Sequence, residues 1–243
     1  MTGAYYAQLE DKTMKTLYLI AVASLSLASC TTSEKAPAAD TAKTATAAAA
    51  NSDPDRNVGG GAIPAGYTAR TDRPDADISG AKYVASGDDW EITTGPAHII
   101  YAAKDMGNGS YTASAMIEQL ENPKHPEAYG IFIGGRDLDK PTQAYTYFIV
   151  RSTGELAVKA REGSAPRDVI KWTASPDVPK SDASGKAKYE LAAQVTHDAV
   201  KFSVNGKQVA SVSKAGLPTD GIAGLRINHN LHVKASPITV KAP

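Results

Sequence analysis

The stretch Val200-Lys201-Phe202-Ser203-Val204-Asn205-Gly206-Lys207-Gln208-Val209-Ala210-Ser211-Val212 reads as one β-hairpin. Val200, Phe202 and Val204 alternate with the polar Lys201 and Ser203, the period of a strand with one buried face. Asn205-Gly206 supplies the two positive-φ residues of a type I′ turn. Val209 and Ala210 resume the apolar pattern on the return strand.

Working outward, short runs of the same kind recur at 90–92, 98–101, 111–120, 129–133, 145–151 and 156–160. Further runs follow at 189–195, 222–227 and 238–240. Ser152-Thr153-Gly154 reads as a second hairpin turn, joining the run that ends at Arg151 to the one that begins at Glu155. No window after the N-terminal region holds a sustained 3.6-residue period. The pattern predicts an all-β chain of two packed antiparallel sheets, a β-sandwich of jelly-roll type.

Residues 60–243 are long enough for one substantial core and are read as a single sandwich domain. Before them, residues 30–59 run through Ala/Thr repeats with no aromatics and almost no branched aliphatics. Such a segment cannot bury enough apolar surface to offset its ordering entropy, and it reads as a disordered tether. Before that, Lys15 precedes the apolar run Leu17 to Leu27, and small residues lead into Cys30, the sole cysteine. At about eleven residues the run is well short of the ~20 that span a bilayer. A positive start, a short apolar core and small residues at the cut make a secretory signal. Residues 1–29 therefore read as signal peptide plus an upstream extension, with Met14 the expected start.

Leu27-Ala28-Ser29-Cys30 resembles the lipobox of bacterial lipoproteins, in which the Cys is acylated and becomes the first mature residue. That resemblance implies lipidation at Cys30 and a cell-envelope protein held to the membrane by lipid. Thr31 rather than Asp follows the Cys, which in that family goes with outer-membrane sorting in Gram-negative cells. Lipidation of the one thiol leaves no disulfide, so the core alone must hold the domain.

The order of motifs in the domain resembles the concanavalin A-like lectin/glucanase fold in its laminin-G-like form. The residues that carry the resemblance are Tyr129 to Gly135, Tyr145 to Arg151, Val204-Asn205-Gly206 and Gly221 to Ile227. Trp90-Glu91-Ile92-Thr93-Thr94-Gly95 also looks like the start of the bacterial 3-keto-disaccharide hydrolase domain, a branch of the same fold. The resemblance implies carbohydrate handled on the concave sheet or its rim loops.

With 26 Lys+Arg against 26 Asp+Glu the formal net charge is +0, so nucleic acid is not an expected partner. Gly-x-Ser-x-Gly, P-loop, dinucleotide and His-Glu-x-x-His patterns are absent. So is Glu-x-Asp-x-x-Glu, the carboxylate motif of the glucanase branch. Asp89 and Glu91, spaced i and i+2, share one face of a strand and are the remaining candidates for an acid/base pair. Asp137 and Asp139 follow Gly134-Gly135-Arg136 in a loop and offer carboxylates to Ca²⁺, without a third spaced ligand. His229 and His232 have chelating spacing but no acidic or Cys partner nearby in sequence. No cofactor is expected.

The most informative constellation is aromatic and basic. Alternation places Tyr145, Tyr147, Ile149 and Arg151 on one face of their strand, and Glu155, Ala157, Lys159 and Arg161 on one face of the next. The turn between them makes these faces one surface, with Arg226 and Asn228 of the closing strand beside it. Tyr rings stack on sugars, while Arg and Asn donate to hydroxyls. The leading expectation is a non-catalytic glycan-binding sandwich. A glycoside hydrolase of the 3-keto-disaccharide type and a structural envelope protein are the alternatives.

Overall fold

The computed structural model of the protein describes residues 54–59 and 62–243. Cys30, the apolar run before it and the expected tether up to residue 53 lie outside the described residues. The described residues form two antiparallel sheets with no α-helix. The first is a 7-stranded sheet. Its order is β1 (Thr68–Thr71), β4 (His98–Gly107), β13 (Gly221–Ile227), β6 (Ala128–Arg136), β7 (Ala144–Arg151), β8 (Glu155–Glu162) and β9 (Ala165–Ala174). The second, 8-stranded sheet begins with β12 (Lys207–Ser213), β11 (Ala199–Val204), β10 (Ala187–Val195) and β5 (Tyr111–Gln119). It continues through β14 (His232–Ala235), β3 (Asp89–Thr93) and β2 (Lys82–Ser86), while β15 (Thr239–Lys241) pairs with β5. This is the two-sheet sandwich that the alternating runs imply.

The opening hairpin shows how sequence becomes packing. Asn205 and Gly206 have φ of 51° and 78°, the left-handed pair of a type I′ turn. The Asn205 side chain also fastens the turn to β10, because its Oδ1 accepts from the Glu190 backbone N–H at 2.9 Å. The alternation then aims Phe202 between the sheets. Its ring meets Phe148 of the opposite sheet at 5.1 Å, and Tyr129 stacks on Tyr189 at 5.9 Å. These cross-sheet aromatic pairs bury large areas with a preferred geometry, so they set the spacing of the layers.

A polar bond also crosses the core. His98 of β4 is wholly buried, its Nδ1–H donates to the Pro96 carbonyl (2.9 Å), and the Tyr83 hydroxyl of β2 donates to Nε2. The two partners fix the neutral tautomer. Burial pushes the Tyr83 phenol above its ordinary range.

Residues 54–59, at the C-terminal end of the expected tether, lie against the turns at Gly95 and Asn230. The Asn230 amide accepts from Arg56 N–H (2.8 Å) and donates to the Pro54 carbonyl (3.1 Å). The Arg56 carbonyl sits 1.6 Å from where a Cβ on residue 95 would stand, so only glycine fits there.

Burial holds His98 down at about 4, against 6.5 when unfolded. Below pH 6.5 the unfolded chain takes up a proton that the folded chain refuses. Stability is therefore full above that value and is lost as pH falls toward 4, by roughly 3 kcal/mol. The charges acting on His98 are Arg226 and Asp72. His98→Gln, which still accepts from Tyr83 but does not titrate, is expected to flatten this part of the stability profile. Urea melts at stepped pH check it, and equal slopes in both proteins would show that His98 does not carry the dependence.

Candidate functional site

The outer face of the seven-stranded sheet is built by register. Tyr145 lies opposite Arg161, Tyr147 opposite Lys159 and Arg151 opposite Glu155. On the other side Tyr147 lies opposite Phe132, Phe132 opposite Gly224 and Gly224 opposite Tyr101. Gly224 leaves the space that the Phe132 ring fills, since a Cβ there would come within 2.5 Å of that ring. Arg226 stands opposite Gly130, which faces Ile149. Six of the seven residues expected to share a surface thus do so: Tyr145, Tyr147, Arg151, Lys159, Arg161 and Arg226. Asn228 follows the end of β13, and its amide donates to Glu127 at 3.2 Å.

Depth differs from the sequence expectation. Tyr145 and Tyr147 are only 1% and 5% exposed, so they are not open stacking platforms. They belong to a second apolar cluster, on the outer face, with Ile99, Tyr101, Phe132, Leu138, Ile149 and Ala157. Neighbouring rings tile one another: Phe132 meets Tyr145 at 5.2 Å, and Tyr145 meets Tyr147 at 5.5 Å. Burial pushes both phenols up, Tyr147 to about 12, with the nearby Arg226 and Arg161 opposing it.

Over this floor lie the guanidinium groups. Arg226 is 6% exposed and donates both terminal nitrogens to Asp72, at 2.6 and 2.5 Å. This is the bidentate fork that guanidinium and carboxylate geometry favour. Burial works against the Arg226 charge, but the Asp72 carboxylate outweighs it and raises its pKa. Arg161, also 6% exposed, reaches the same carboxylate at 3.9 Å and donates to the Ser164 carbonyl at 2.8 Å. Lys159 pairs with Asp168 of β9 at 2.7 Å. The Arg151 guanidinium stacks 3.8 Å from the centre of the Trp172 ring, a cation–π contact, and lies 4.0 Å from Glu155.

Two clefts border the face. One, of about 220 Å³, is lined by Asp55, Asp72, Arg73, Ala76, Pro96, Ala97 and His229. The other, of about 280 Å³, lies along β1 against Tyr101, Pro74 and Asp139. Beside the first, His229 bridges Asp55 (3.2 Å) and Glu127 (2.8 Å).

The other candidates lie elsewhere. Asp89 and Glu91 do share a strand face, but it is the outer face of the eight-stranded sheet. There Asp89 lies 3.5 Å from Lys234, and Glu91 lies 2.7 Å from His232. The Asp137 carboxylate accepts from Lys140 at 2.8 Å, which holds it below the usual carboxylate range. Asp139 lies at the Tyr101 cleft instead. Among the described residues, no group of three or more His, Cys, Asp or Glu side chains is placed to hold a metal ion. Sequence reasoning passed over Asp72, Trp172, Tyr101 and Phe132. Trp172 had a signal, as one of two tryptophans and flanked by polar Lys171 and Thr173.

No family model matches the chain, and no curated protein matches it. Solved structures do share its architecture. A glycoside hydrolase family 16 endo-glucanase from Bacteroides ovatus superposes with a TM-score of 0.52 at 8% identity, over 72% of this chain and 94% of that one. Carbohydrate-binding module CBM66 from Bacillus subtilis gives 0.48 at 13% identity, over 73% and 96%. A galectin-like protein of unknown function from the same species gives 0.49 at 12%, over 72% and 94%. The fold is that of a concanavalin A-like jelly-roll sandwich.

The Asp72–Arg226 pair makes a testable claim on stability. Asp72→Ala leaves Arg226 and Arg161 facing each other without their shared carboxylate, and is expected to cost about 2 kcal/mol. The cost stays below the 3–5 kcal/mol of a fully buried pair because Asp72 is 28% exposed. Adding Arg226→Met should recover part of the loss. Denaturant melts of the two single variants and the double variant check this, and strictly additive costs would show that the pair is not coupled.

Proposed function

We propose that the protein is an envelope-anchored lipoprotein whose sandwich binds glycans on the outer face of the seven-stranded sheet without cleaving them. The observation that carries the reading is the rim of that face. Half-buried Trp172 lies under Arg151, the Lys159–Asp168 pair joins β8 to β9 further along, and a closed aromatic floor lies beside them. An aromatic ring beside oriented donors and acceptors is what a sugar needs, an apolar face to cover and hydroxyls to satisfy. Non-catalytic binding is favoured by the placement of carboxylates. Two carboxylates at the face are engaged by cations, Asp72 by Arg226 and Asp168 by Lys159. Asp89 and Glu91, which the hydrolase reading needs, stand on the opposite sheet. The anchoring half of the proposal rests on the lipobox-like Leu27-Ala28-Ser29-Cys30.

A glycan microarray followed by titration calorimetry tests the binding half. Trp172→Ala is expected to weaken binding about tenfold, the equivalent of 1–2 kcal/mol, in a variant that circular dichroism shows to be folded. Asp89→Asn and Glu91→Gln should bind as the parent does. Absence of any glycan ligand for the parent would leave a structural envelope protein. Turnover of a 3-keto-glycoside that vanishes in the carboxylate variants would establish the hydrolase.

For the anchor, Cys30→Ser should move the protein out of the membrane fraction or leave it unprocessed, and remove labelling by radioactive lipid. Lipid incorporation that persists in this variant would rule out Cys30 as the acceptor.

A further inference from the structure

We infer that the glycan received by this face is acidic, a uronic-acid-containing chain whose carboxylate is taken by Arg161 beside Arg226. The inference rests on the glycan-binding reading above and goes beyond it in naming the ligand class. It starts from charge balance at one place. Two guanidinium groups, each more than nine-tenths buried, have one carboxylate, Asp72, as ion-pair partner among the described residues. Arg226 takes that carboxylate with both terminal nitrogens. Arg161 is left with a 3.9 Å approach to it, one carbonyl, Ser164, and the uncharged Tyr145 phenol. The Nε atoms of both arginines are buried without a hydrogen-bond partner.

Such an arrangement is unfavourable in the free protein. A buried charge without its counter-charge costs more than an exposed one, and an unsatisfied buried donor adds to that. The neighbours do not relieve it. Lys159 has its own carboxylate in Asp168, and the Arg151 charge is directed to Trp172 and Glu155. Tyr145 and Tyr147, next to the two arginines, are held neutral by burial. One anionic group arriving at Arg161 would balance the charge. Asp72 already displays the chemistry in question, a planar carboxylate on the Arg226 fork, which is why carboxylate is favoured over a sulfate ester.

The test uses the full chain and a set of oligouronates: galacturonate, glucuronate, mannuronate and guluronate hexamers. Each is paired with its carboxyl-reduced neutral counterpart and with a sulfated neutral hexamer. Titration calorimetry at low and high salt is expected to show at least one uronate binding roughly tenfold or more tighter than its neutral form, a preference that salt weakens. Arg161→Gln should bring the acid down to the affinity that the same variant shows for the neutral form. Arg161→Lys, which keeps charge but not the fork, should retain part of the preference. Circular dichroism melts of both variants confirm folding. Equal affinity for acid and neutral forms overturns the inference, as does a preference for sulfate or a preference that survives Arg161→Gln. If neutral glycans bind and uronates do not, the acidic-ligand inference fails while the glycan reading stands. If no glycan binds, both fail.

Discussion

The bidentate contact between Arg226 and Asp72 is the constraint on which the outer face depends. It joins residues 154 apart in sequence, one at the exit of edge strand β1 and one on β13 inside the sheet. Because the Arg226 side chain lies across the sheet toward Tyr147, with its guanidinium 5.8 Å from that ring, the contact closes the floor from above. Without the carboxylate, two cations over a buried aromatic cluster would repel each other and draw water onto the rings. With it, apolar packing continues on the outside of a sheet whose inner face already supplies the main core. This explains why β7 is buried on both faces, although it belongs to an antiparallel sheet that would ordinarily leave one face wet.

That double burial marks how far the sequence could be read. Alternation in 145–151 and 155–161 assigns every side chain to the correct face, because pleating allows no other arrangement. It says nothing of depth: Tyr147 reads the same whether a ring lies open to solvent or under a guanidinium. The type I′ turn was legible because Asn-Gly has few other uses at that position. Strand β9 was not, since Ala165-Pro166-Arg167-Asp168 has no apolar period and an edge strand needs none. The Asp72 partner carries no local mark either, being one Asp in Arg70-Thr71-Asp72-Arg73. Asp89 and Glu91 were placed on the same strand face correctly, but which sheet that strand joins is a matter of topology and not of period.

The clefts at the rim show a further division of labour. The floor of the face is made by strands whose rows are fixed by hydrogen-bond register, so it has little freedom to adapt. The groups with exposure to spare sit at its borders: Asp72 on the loop after β1, Asp168 and Trp172 on the edge strand β9, Asp139 in the loop after β6. The borders thus hold the side chains that can move, and the floor supplies rigidity. Preorganised edges on a rigid scaffold lower the ordering cost of binding.

The chain's own leading segment takes part in one of those borders. Asp55 lines the cleft that Asp72 and His229 share, and is held there by Arg73 at 3.0 Å as well as by His229. The Asn230 side-chain amide ties the same segment down through the backbone of Arg56 and Pro54, and the approach to Gly95 excludes any side chain there. The residues that lead into the sandwich from its N-terminal side are thus part of the cleft wall. The position of the loop carrying Asp72 and Arg73 is coupled to that segment through the Arg73–Asp55 contact. The same loop holds Arg226 down over Tyr147, so the state of the leading segment and the closure of the aromatic floor are linked by a chain of two ion pairs.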